Sequence, residues 1–579
     1  MQTQRMILWI VFSMSLLFLW DSWQRHQGHA SLFGGPPPAE QGVHENPAGR
    51  SGTGPSAKDG AASDAAIPPP TSPAPGAAAS GTAGAAASAQ ATSGAAVASE
   101  QTIRLANDVL SLDIDLLGGQ VRRAELLGHR EENGEEAQNL VLLQYAPGRI
   151  YLAQSGLIGD SPAGASFPTH RTPMTPVGGD ASPRTLGAGN DVQLKLEAES
   201  GGLRLVRTYT LARGEYVVRV KDEVTNESQA PLSPVLYLQL TRDGDAPPGG
   251  SKFYSTYTGP VVYTNEDKFQ KVSFSDIEKG KANYAKSAAD GWAGIIQHYF
   301  VAAWIPQQGA QREYYARKVD NNLYSVGIKE PLGTLAPNAT TSAESELLVG
   351  PQKQRMLEAI APGLDLTVDY GWLTVIAKPI YWLLEKLHAL VGNWGWSIVL
   401  LTLLIKTIFF PLQAASYKSM ARMKAVTPRL TAIRERYGND RVKMNQAMME
   451  LYKTEKINPL GGCLPIVVQI PVFIALYWVL LASVEMRNAP WIGWIHDLSA
   501  PDPYFILPLV MAGTMFIQVK LNPTPPDPIQ AKMMMIMPLV FSVMFFFFPA
   551  GLVLYWLVNN VYSIAQQWVI NKKLGVLKK

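Results

Sequence analysis

The sequence predicts a multi-domain protein in which a large all-β sandwich is joined to an α-helical integral membrane bundle of six spans, five of which form the core. Short alternating segments between turn residues fill the region from Gln101 to Gly363 and predict the sandwich. Long apolar segments separated by charged loops fill the region from Trp394 to Ile570 and predict the core spans. A further apolar segment near the N-terminus, Met6 to Trp20, predicts the sixth span.

The composition excludes several classes of function. A net charge of only +3 gives no reason to expect nucleic-acid specificity. The single cysteine, Cys463, excludes an internal disulfide framework. The chain has no glycine-rich phosphate loop ending in Gly-Lys-Ser/Thr, which argues against a nucleotide motor. We therefore expect no catalytic residue, no cofactor and no metal site.

Residues 1–23 are predicted to form a transmembrane anchor. Their apolar part follows a single basic residue, Arg5, and stops at Asp21. A cleaved signal peptide is the alternative, with Gly28-His29-Ala30 as the small-residue pattern at the cleavage site. That pattern lies rather far from the apolar run, so an uncleaved anchor is the better interpretation.

Residues 24–100 are predicted to be a low-complexity flexible linker. From Gly34 onward the segment consists largely of Pro, Ala, Gly and Ser and contains no aromatic residue. Such a composition cannot bury enough apolar surface to offset the entropy of an ordered chain.

Residues 101–363 are predicted to form the β-sandwich. In RLVRTYTLARGEYVVRVKDEV two alternating runs flank Ala212-Arg213-Gly214, which indicates a β-hairpin. A folded exported scaffold is the simpler interpretation. A sugar-binding or sugar-epimerising domain is the alternative, but no paired carboxylates or histidines favour it.

Residues 364–393 are predicted to contain an amphipathic helix at the membrane interface, because an aromatic-rich run is interrupted there by charged residues and a proline. Residues 394–570 are predicted to form the five-span core. Its spans are expected near Trp394–Leu412, Leu464–Ala482, Tyr504–Val519, Met533–Phe548 and Gly551–Ile570.

The loops predict the orientation of the spans. Residues 413–462 carry ten basic and four acidic side chains and are predicted to form a cytoplasmic helical hairpin, with a turn at Gly438-Asn439-Asp440. The loop from Ser483 to Pro503 is acidic and belongs outside, whereas the tail, residues 571–579, is basic and returns inside. We therefore expect a multi-pass inner-membrane protein with both termini in the cytoplasm and the sandwich in the periplasm.

Lys406 stands inside the apolar run LLTLLIKTIFFPL, where a charge costs about 3 kcal/mol on insertion scales. One interpretation is that its long stem lifts the ammonium to the cytoplasmic headgroups. The other is a hydrophilic pocket open to the cytoplasm. Polar residues at a similar depth on other predicted spans favour the pocket, and Thr402 lies one helical turn from Lys406 on the same face. These companions are Thr402, Gln469, Thr514, Ser542, Asn559 and Asn560.

The sequence resembles the YidC family of bacterial membrane protein insertases, of the type with a large periplasmic domain. The strings that carry the resemblance include VGNWGWSIVLLTLLIKTIFFPL, INPLGGCLPIVVQIPVFIALYWVL and FPAGLVLYWLVNN. The resemblance implies a hydrophilic groove that accepts a nascent membrane protein and attracts its acidic groups with a positive residue. Lys406 occupies that residue's position, where relatives more usually carry arginine. Positions that line the groove or contact the guest helix are matched by Thr402, Gln469, Ile470, Phe473, Tyr555 and Trp556.

We therefore expect an insertase and chaperone for inner-membrane proteins, and not an enzyme, acting alone or with the Sec translocon. Its expected partners are nascent inner-membrane proteins, the translocon, the ribosome and the lipid bilayer. A secondary transporter or channel is the first alternative, but the five core spans show no internal repeat. A carbohydrate-binding periplasmic protein tethered by its spans is the second.

Overall fold

The computed structural model describes residues 67–69, 101–131, 138–160, 164, 166–247, 256–438, 440–455, 464–521, 532, 535–536 and 542–573. These residues belong to two compact units, one ending at Thr367 and the other beginning at Val368. The predicted anchor, most of the predicted linker, the end of the tail and most of the span predicted at Met533–Phe548 lie outside the described residues.

Apart from a parallel pairing of the first strand with the seventh, the first unit is built from strands that pair antiparallel. They are β1 Thr102–Ala106, β2 Leu110–Asp115, β3 Val121–Arg130, β4 Asn139–Ala146, β5 Arg149–Ile158, β6 Thr175–Pro176, β7 Arg184–Thr185, β8 Asp191–Ser200, β9 Leu203–Ala212, β10 Val217–Asn226, β11 Val235–Asp243, β12 Thr258–Thr264, β13 Lys268–Lys271, β14 Ser287–Ala288, β15 Trp292–Gln297, β16 Phe300–Pro306, β17 Arg312–Asp320, β18 Leu323–Pro331 and β19 Thr340–Pro351. Two short helices accompany them, α1 Phe274–Glu278 and α2 Gln354–Ile360.

The strands form two sheets, which confirms the predicted sandwich. A ten-stranded sheet has the order β14-β17-β18-β11-β5-β4-β3-β2-β1-β7, and a nine-stranded sheet has the order β13-β12-β15-β16-β19-β10-β9-β8-β6. The predicted hairpin joins β9 to β10, with Val218 opposite Leu211. Gly214 makes its turn at φ 72°, a backbone region that favours glycine.

Strand alternation explains how the sandwich is held together. Along β9 every second residue is buried, beginning with Leu203 and ending with Leu211. The same buried face carries a charged pair, because Arg207 stands directly opposite Asp222 of β10. The guanidinium donates from Nε to Oδ1 at 2.6 Å and from Nη2 to Oδ2 at 3.1 Å, and both side chains are fully buried. This two-point pairing satisfies both charges inside the core.

The second unit is helical. Its helices are α3 Thr374–Val391, α4 Trp394–Ile408, α5 Phe410–Arg436, α6 Arg441–Thr454, α7 Leu464–Ala482, α8 Ile506–Leu521 and α9 Ala550–Lys573. Asn393 caps α4 by accepting from the Trp396 backbone N–H, and Asp440 caps α6 in the same way through Lys443. Helices α5 and α6 occupy the region predicted as a hairpin, residues 413–462, although α5 begins at Phe410, and the cytoplasmic side of the hairpin stays a prediction.

The first predicted core span ends earlier than expected. Helix α4 stops at Ile408, and residues 410–412 already belong to α5. Pro411 explains the break, because proline lacks the N–H that a continuing helix needs and is tolerated in the first turn of the next helix.

Among the described residues, no single helix combines the length and hydropathy needed to cross a membrane. Helix α4 and the part of α5 up to Met420 meet both criteria as a pair, although they are bent by 65° relative to one another. Two further apolar helices are shorter, Val468–Ala482 within α7 and Ile506–Leu521. The predicted number of six spans therefore stays a prediction.

Helix α3, predicted as an interfacial helix, leaves large apolar side chains uncovered. Val375 is 85% exposed and Leu390 is 80% exposed, whereas Ile380 and Leu384 are buried. The buried face packs against α4 and α7, and the Tyr381 hydroxyl donates to Glu485 Oε1 at 2.9 Å.

Candidate functional site

Helix α4 brings Lys406 into the interior of the helical unit. Its buried face contains Ile398, Leu401, Thr402, Ile405 and Lys406, which recur at helical spacing. Thr402 is 1% exposed and donates its hydroxyl proton to the Ile398 carbonyl at 2.7 Å. This bond uses the hydroxyl proton within its own helix and leaves both oxygen lone pairs available to accept hydrogen bonds.

Lys406 is 4% exposed, so its ammonium does not reach the surface of the helical unit. The Nζ donates to the Ser563 hydroxyl at 2.9 Å, and that hydroxyl donates in turn to the Asn559 carbonyl at 2.7 Å. In the part of the chain that the structure describes, no carboxylate lies within ion-pair distance of Lys406. An ammonium has three N–H donors, and Ser563 is its one partner among the described residues, so the remaining donors and the positive charge can bind an acidic group.

The partner serine belongs to a polar stripe on α9. The apolar N-terminal half of this helix is followed by buried amides and a hydroxyl at spacings of three and four, which places them on one face. The members of the stripe are Asn559, Asn560, Ser563, Gln566, Gln567 and Asn571. A helix with such a stripe requires polar partners along its length.

Several of these buried atoms have no hydrogen-bond partner within the described ranges. They are Gln413 Oε1, Asn559 Oδ1, Asn560 Nδ2, and both side-chain polar atoms of Gln566. Each buried polar atom left without a partner costs about 1–3 kcal/mol. Water or a bound polar chain would remove that cost.

Gln469 joins the same region from α7. Its Nε2 donates to the Tyr555 hydroxyl at 3.0 Å. Tyr555 precedes Asn559 by four residues and Ser563 by eight, so the three side chains follow one another along a single face of α9 over about 12 Å. The two hydrogen-bonded pairs, Gln469 with Tyr555 and Lys406 with Ser563, are therefore two turns apart on α9.

Aromatic rings border the Gln469–Tyr555 pair. Phe473 follows Gln469 by one turn and lies 6.1 Å from the Tyr555 ring at an interplanar angle of 17°. The Trp556 ring meets Phe473 edge-on at 4.8 Å. The Trp556 Nε1 has no hydrogen-bond partner among the described residues.

Most of the predicted site residues lie together, and Ile470 does not. Ile470 is 48% exposed, since it is one residue from Gln469 and points about 100° away from it around α7. Thr514 donates to the carbonyl of Met511 in its own helix at 2.7 Å. Ser542 is buried and lies 3.9 Å from the Met515 sulfur.

Sequence reasoning missed the residues that complete the cluster. Ser563 was detectable, because it follows Asn559 at helical spacing and begins the polar half of α9. The charge pattern places Gln413 and Ser416 in the cytoplasmic hairpin, although both are buried on α5. Their burial follows from the early break at Pro411, which the hydropathy pattern alone did not locate. Tyr417 lies on the same turn, and its hydroxyl is 3.5 Å from the Ser563 carbonyl.

Comparison with known proteins identifies the family. Residues 102–383 match the sequence profile of the YidC periplasmic domain, and residues 386–576 match that of the 60Kd inner membrane protein. A membrane protein insertase YidC from Cupriavidus necator is 56% identical over 583 residues, covering 99% of this chain and 98% of the relative. The chain belongs to the YidC family. The family places the chain in the inner membrane, the sandwich in the periplasm and the helical unit in an integral membrane region.

Two solved structures were also similar. An active YidC insertase with its first transmembrane domain resolved is 18% identical, covers 81% of this chain and 92% of its own, and has a TM-score of 0.37. A putative aldose 1-epimerase from Escherichia coli K12 is 12% identical, covers 43% of this chain and 99% of its own, and has a TM-score of 0.28. The YidC relatives are named as insertases and not as enzymes.

Proposed function

We propose that this chain inserts proteins into the inner membrane and helps them fold, using a groove that opens to the cytoplasm and contains the charge of Lys406. The observation that carries the proposal is the state of that lysine. It is 4% exposed and hydrogen-bonded to the Ser563 hydroxyl, and no described carboxylate pairs with it. The acidic group that would neutralise it comes from the guest protein.

The buried amides support a hydrated groove. Asn559, Asn560 and Gln566 lie on one face of α9, each with a buried polar atom that has no described partner. In a lipid environment such atoms need water or the backbone of another chain. Water entering from the cytoplasmic side would hydrate them between guests, and a guest segment would replace it.

The energetics require no chemical fuel. Transfer of a guest helix of about 20 apolar residues into lipid yields roughly 8 kcal/mol on insertion scales. The membrane potential acts on each charge of the translocated tail with about 2.3 kcal/mol per 100 mV. The remaining barrier is the passage of a polar tail through hydrocarbon. A groove that reaches partway and offers a counter-charge lowers this barrier by shortening the dry path.

The proposed topology has six spans, with both termini in the cytoplasm. The basic hairpin of α5 and α6 then faces the cytoplasm, where ribosomes deliver nascent chains. Its charge suits an encounter with ribosomal RNA or anionic lipid. The Sec translocon is a second proposed partner, with which the insertase would share clients. The work of the groove itself does not depend on either partner.

Reconstitution with a small client that has an acidic periplasmic tail tests the proposal. Native protein is compared with Lys406→Arg and Lys406→Ala in proteoliposomes, and insertion is measured by protection of the client's tail from protease. We expect Arg to keep insertion, because it keeps the charge, although its planar fork differs from an ammonium. Ala should reduce insertion most for acidic tails.

A matched control is Lys520→Ala, which removes an exposed lysine near the end of α8. It should insert every client as the native protein does. A Lys406→Ala variant that inserts all acidic-tailed clients at the native rate would contradict the proposed role of the charge. The family assignment would stand in that case, and the lysine would be a snorkelling residue.

A further inference from the structure

Ile67 lies in the low-complexity segment, and the sandwich unit buries it. It is 1% exposed and packs with Ile158, Tyr237 and Tyr315. Between Gly34 and Glu100 it is the only isoleucine, leucine, methionine or aromatic residue, and three prolines follow it directly. Ile67 is therefore the side chain of this segment with enough apolar surface to fill a binding site.

The ten-stranded sheet forms the floor of this site through two glycine–tyrosine pairs. Tyr237 of β11 stands opposite Gly156 of β5, and Tyr315 of β17 stands opposite Gly327 of β18. A Cβ at either glycine would lie 2.6 Å from the hydroxyl oxygen of its tyrosine. Both glycines therefore leave room for an aromatic ring to lie across the neighbouring strand.

The floor is on the face of the sheet that points away from the second sheet. The Tyr151 hydroxyl of β5 reaches the Ile295 carbonyl of β15, so Tyr151 points into the sandwich. Because side chains alternate along a strand, Gly156 and Ile158 point to the opposite face. The site is thus separate from the sandwich core, and Ile67 covers it from outside.

One polar contact reaches the backbone of the bound segment, and a histidine borders the site. Arg317 follows Tyr315 by two residues on β17 and shares its face, and its Nη2 donates to the Ile67 carbonyl at 3.1 Å. His170 lies on the other side, where its backbone N–H donates to the Tyr237 hydroxyl at 3.0 Å. The His170 Nδ1 lies 2.6 Å from the same hydroxyl, so the imidazole borders the site on this side.

The sequence Ile-Pro-Pro suits such a site for conformational reasons. A residue before proline is restricted to extended conformations, and each proline fixes its own φ near −65°. The segment therefore loses little entropy when it is ordered, which is why proline-rich segments bind aromatic grooves in other proteins. Here the aromatic floor receives Ile67, and Pro68 and Pro69 lead the chain back toward solvent.

We propose that Ile67-Pro68-Pro69 is a docking motif, and that the sandwich carries a recognition site for an extended Ile-Pro-Pro peptide that its own chain occupies. Docking divides the segment between the first predicted span and β1 at one point. The distance that the sandwich can move from its anchor is then set by residues 24–66 and not by the whole of 24–100. Release of the motif lengthens the tether and uncovers the site.

Hydrogen exchange of the full-length protein tests the docking. In native protein the peptide covering residues 166–174, which contains the His170 amide, should exchange slowly. Ile67→Asp should accelerate this exchange about fivefold or more, because local opening no longer has to displace the motif. Val97→Asp is the matched control in the same low-complexity segment and should exchange as the native protein does. Equal exchange in native protein and Ile67→Asp would overturn the proposal.

A synthetic peptide of residues 61–73 tests the recognition site itself. It should bind Ile67→Asp protein about tenfold more tightly than native protein, whose own tethered motif competes at high effective concentration. Adding Arg317→Ala to the Ile67→Asp protein should lower its affinity for the peptide. Equal affinity for native protein and Ile67→Asp would show that the motif does not occupy the site. Loss of native protection on dilution of the protein would assign the motif to a second copy and overturn docking within one chain.

Discussion

The buried imidazole of His170 gives the sandwich a predictable dependence on pH. The pKa of His170 is lowered from 6.5 to about 4, chiefly by burial and also by the nearby Arg171 and Arg317, against the opposing effect of the Pro69 carbonyl. In the unfolded chain the pKa is about 6.5. The unfolded state therefore binds a proton at a higher pH than the folded state, and folding loses free energy as the pH falls between these two values.

We expect the contribution of His170 to the free energy of unfolding to be complete above pH 6.5. As the pH falls from 6.5 to 4, the free energy of unfolding should decrease by about 3 kcal/mol through this residue, since each pKa unit is worth about 1.36 kcal/mol. Thermal unfolding of the full-length protein across this range measures the effect. His170→Gln should flatten the acid side of the profile, whereas His44→Gln in the low-complexity segment should leave it unchanged. Identical slopes for native protein and His170→Gln would contradict this assignment.

A second residue, Lys406, shows which part of the site the sequence could and could not give. A lysine in an apolar run predicts either an ammonium that reaches the headgroups or one in a polar pocket, and Lys406 is 4% exposed. Its partner Ser563 is 157 residues away, and no local pattern links the two. The pairing depends on how α4 and α9 pack, which composition and periodicity do not encode.

At the level of elements, helix α9 supports the charge of α4 through one hydroxyl. Ser563→Ala removes the hydrogen-bond partner of a buried ammonium, and we expect it to lower the free energy of unfolding of the helical unit by about 1.5–3 kcal/mol. Thermal unfolding in nanodiscs measures the change.

Thr407→Ala is the control for this change on α4. Its exposed hydroxyl donates to the Leu403 carbonyl of its own helix at 2.7 Å and lies 3.2 Å from the Tyr562 hydroxyl of α9. Because water can replace both contacts at an exposed position, its loss should cost less than about 0.5 kcal/mol. Equal stability of the Ser563→Ala and Thr407→Ala variants would contradict this expectation, because it would show that a water molecule replaces the serine hydroxyl as the partner of the Lys406 ammonium.

The hairpin of β9 and β10 depends on its buried ion pair. Asp222→Ala leaves Arg207 charged and unpaired in the core and should destabilise the sandwich by about 3–5 kcal/mol. The double variant Arg207→Met, Asp222→Leu should recover most of this loss, because apolar residues of similar volume replace both charges.

An exposed pair in the same strand region is the control. Glu215 and Arg219 lie 2.9 Å apart with side chains 41% and 51% exposed, and Glu215→Ala should cost less than about 1 kcal/mol. Urea unfolding of the full-length protein compares the variants. Equal losses for Asp222→Ala and Glu215→Ala would show that the buried pair has no special role.

Elements with strong local signals were predictable. The hairpin turn at Ala212-Arg213-Gly214 and the helix Leu464–Ala482 occur where the pattern placed them. The hydropathy pattern predicts a helix that is four residues longer than α4, because the apolar run continues through Phe409 while Pro411 already lies in the first turn of α5. At this position hydropathy favours a continuous helix, whereas the proline backbone does not allow one, and the proline determines where α4 ends.

For the whole molecule, the two-sheet architecture followed from alternation, but the order of the strands did not. β5 lies between β4 and β11, and β10 lies between β9 and β19, so both sheets depend on pairings distant in sequence. The burial of Ile67 was equally hidden, since composition predicts a segment without a core and cannot show that one residue fits a site elsewhere. In each case tertiary packing supplies what local pattern lacks.

The division into two units predicts what survives removal of the sandwich. Every residue of the cluster around Lys406 and α9 lies in the unit that begins at Val368, so a chain lacking residues 101–363 keeps the whole candidate groove. We expect it to retain most of its insertion of small acidic-tailed clients in proteoliposomes, and Lys406→Ala in the shortened chain should reduce insertion as it does in the full chain. A matched measurement of thermal unfolding establishes that the shortened helical unit folds. Loss of all insertion by a folded, shortened protein would show that the sandwich performs an essential step, and would return the carbohydrate-binding alternative to consideration.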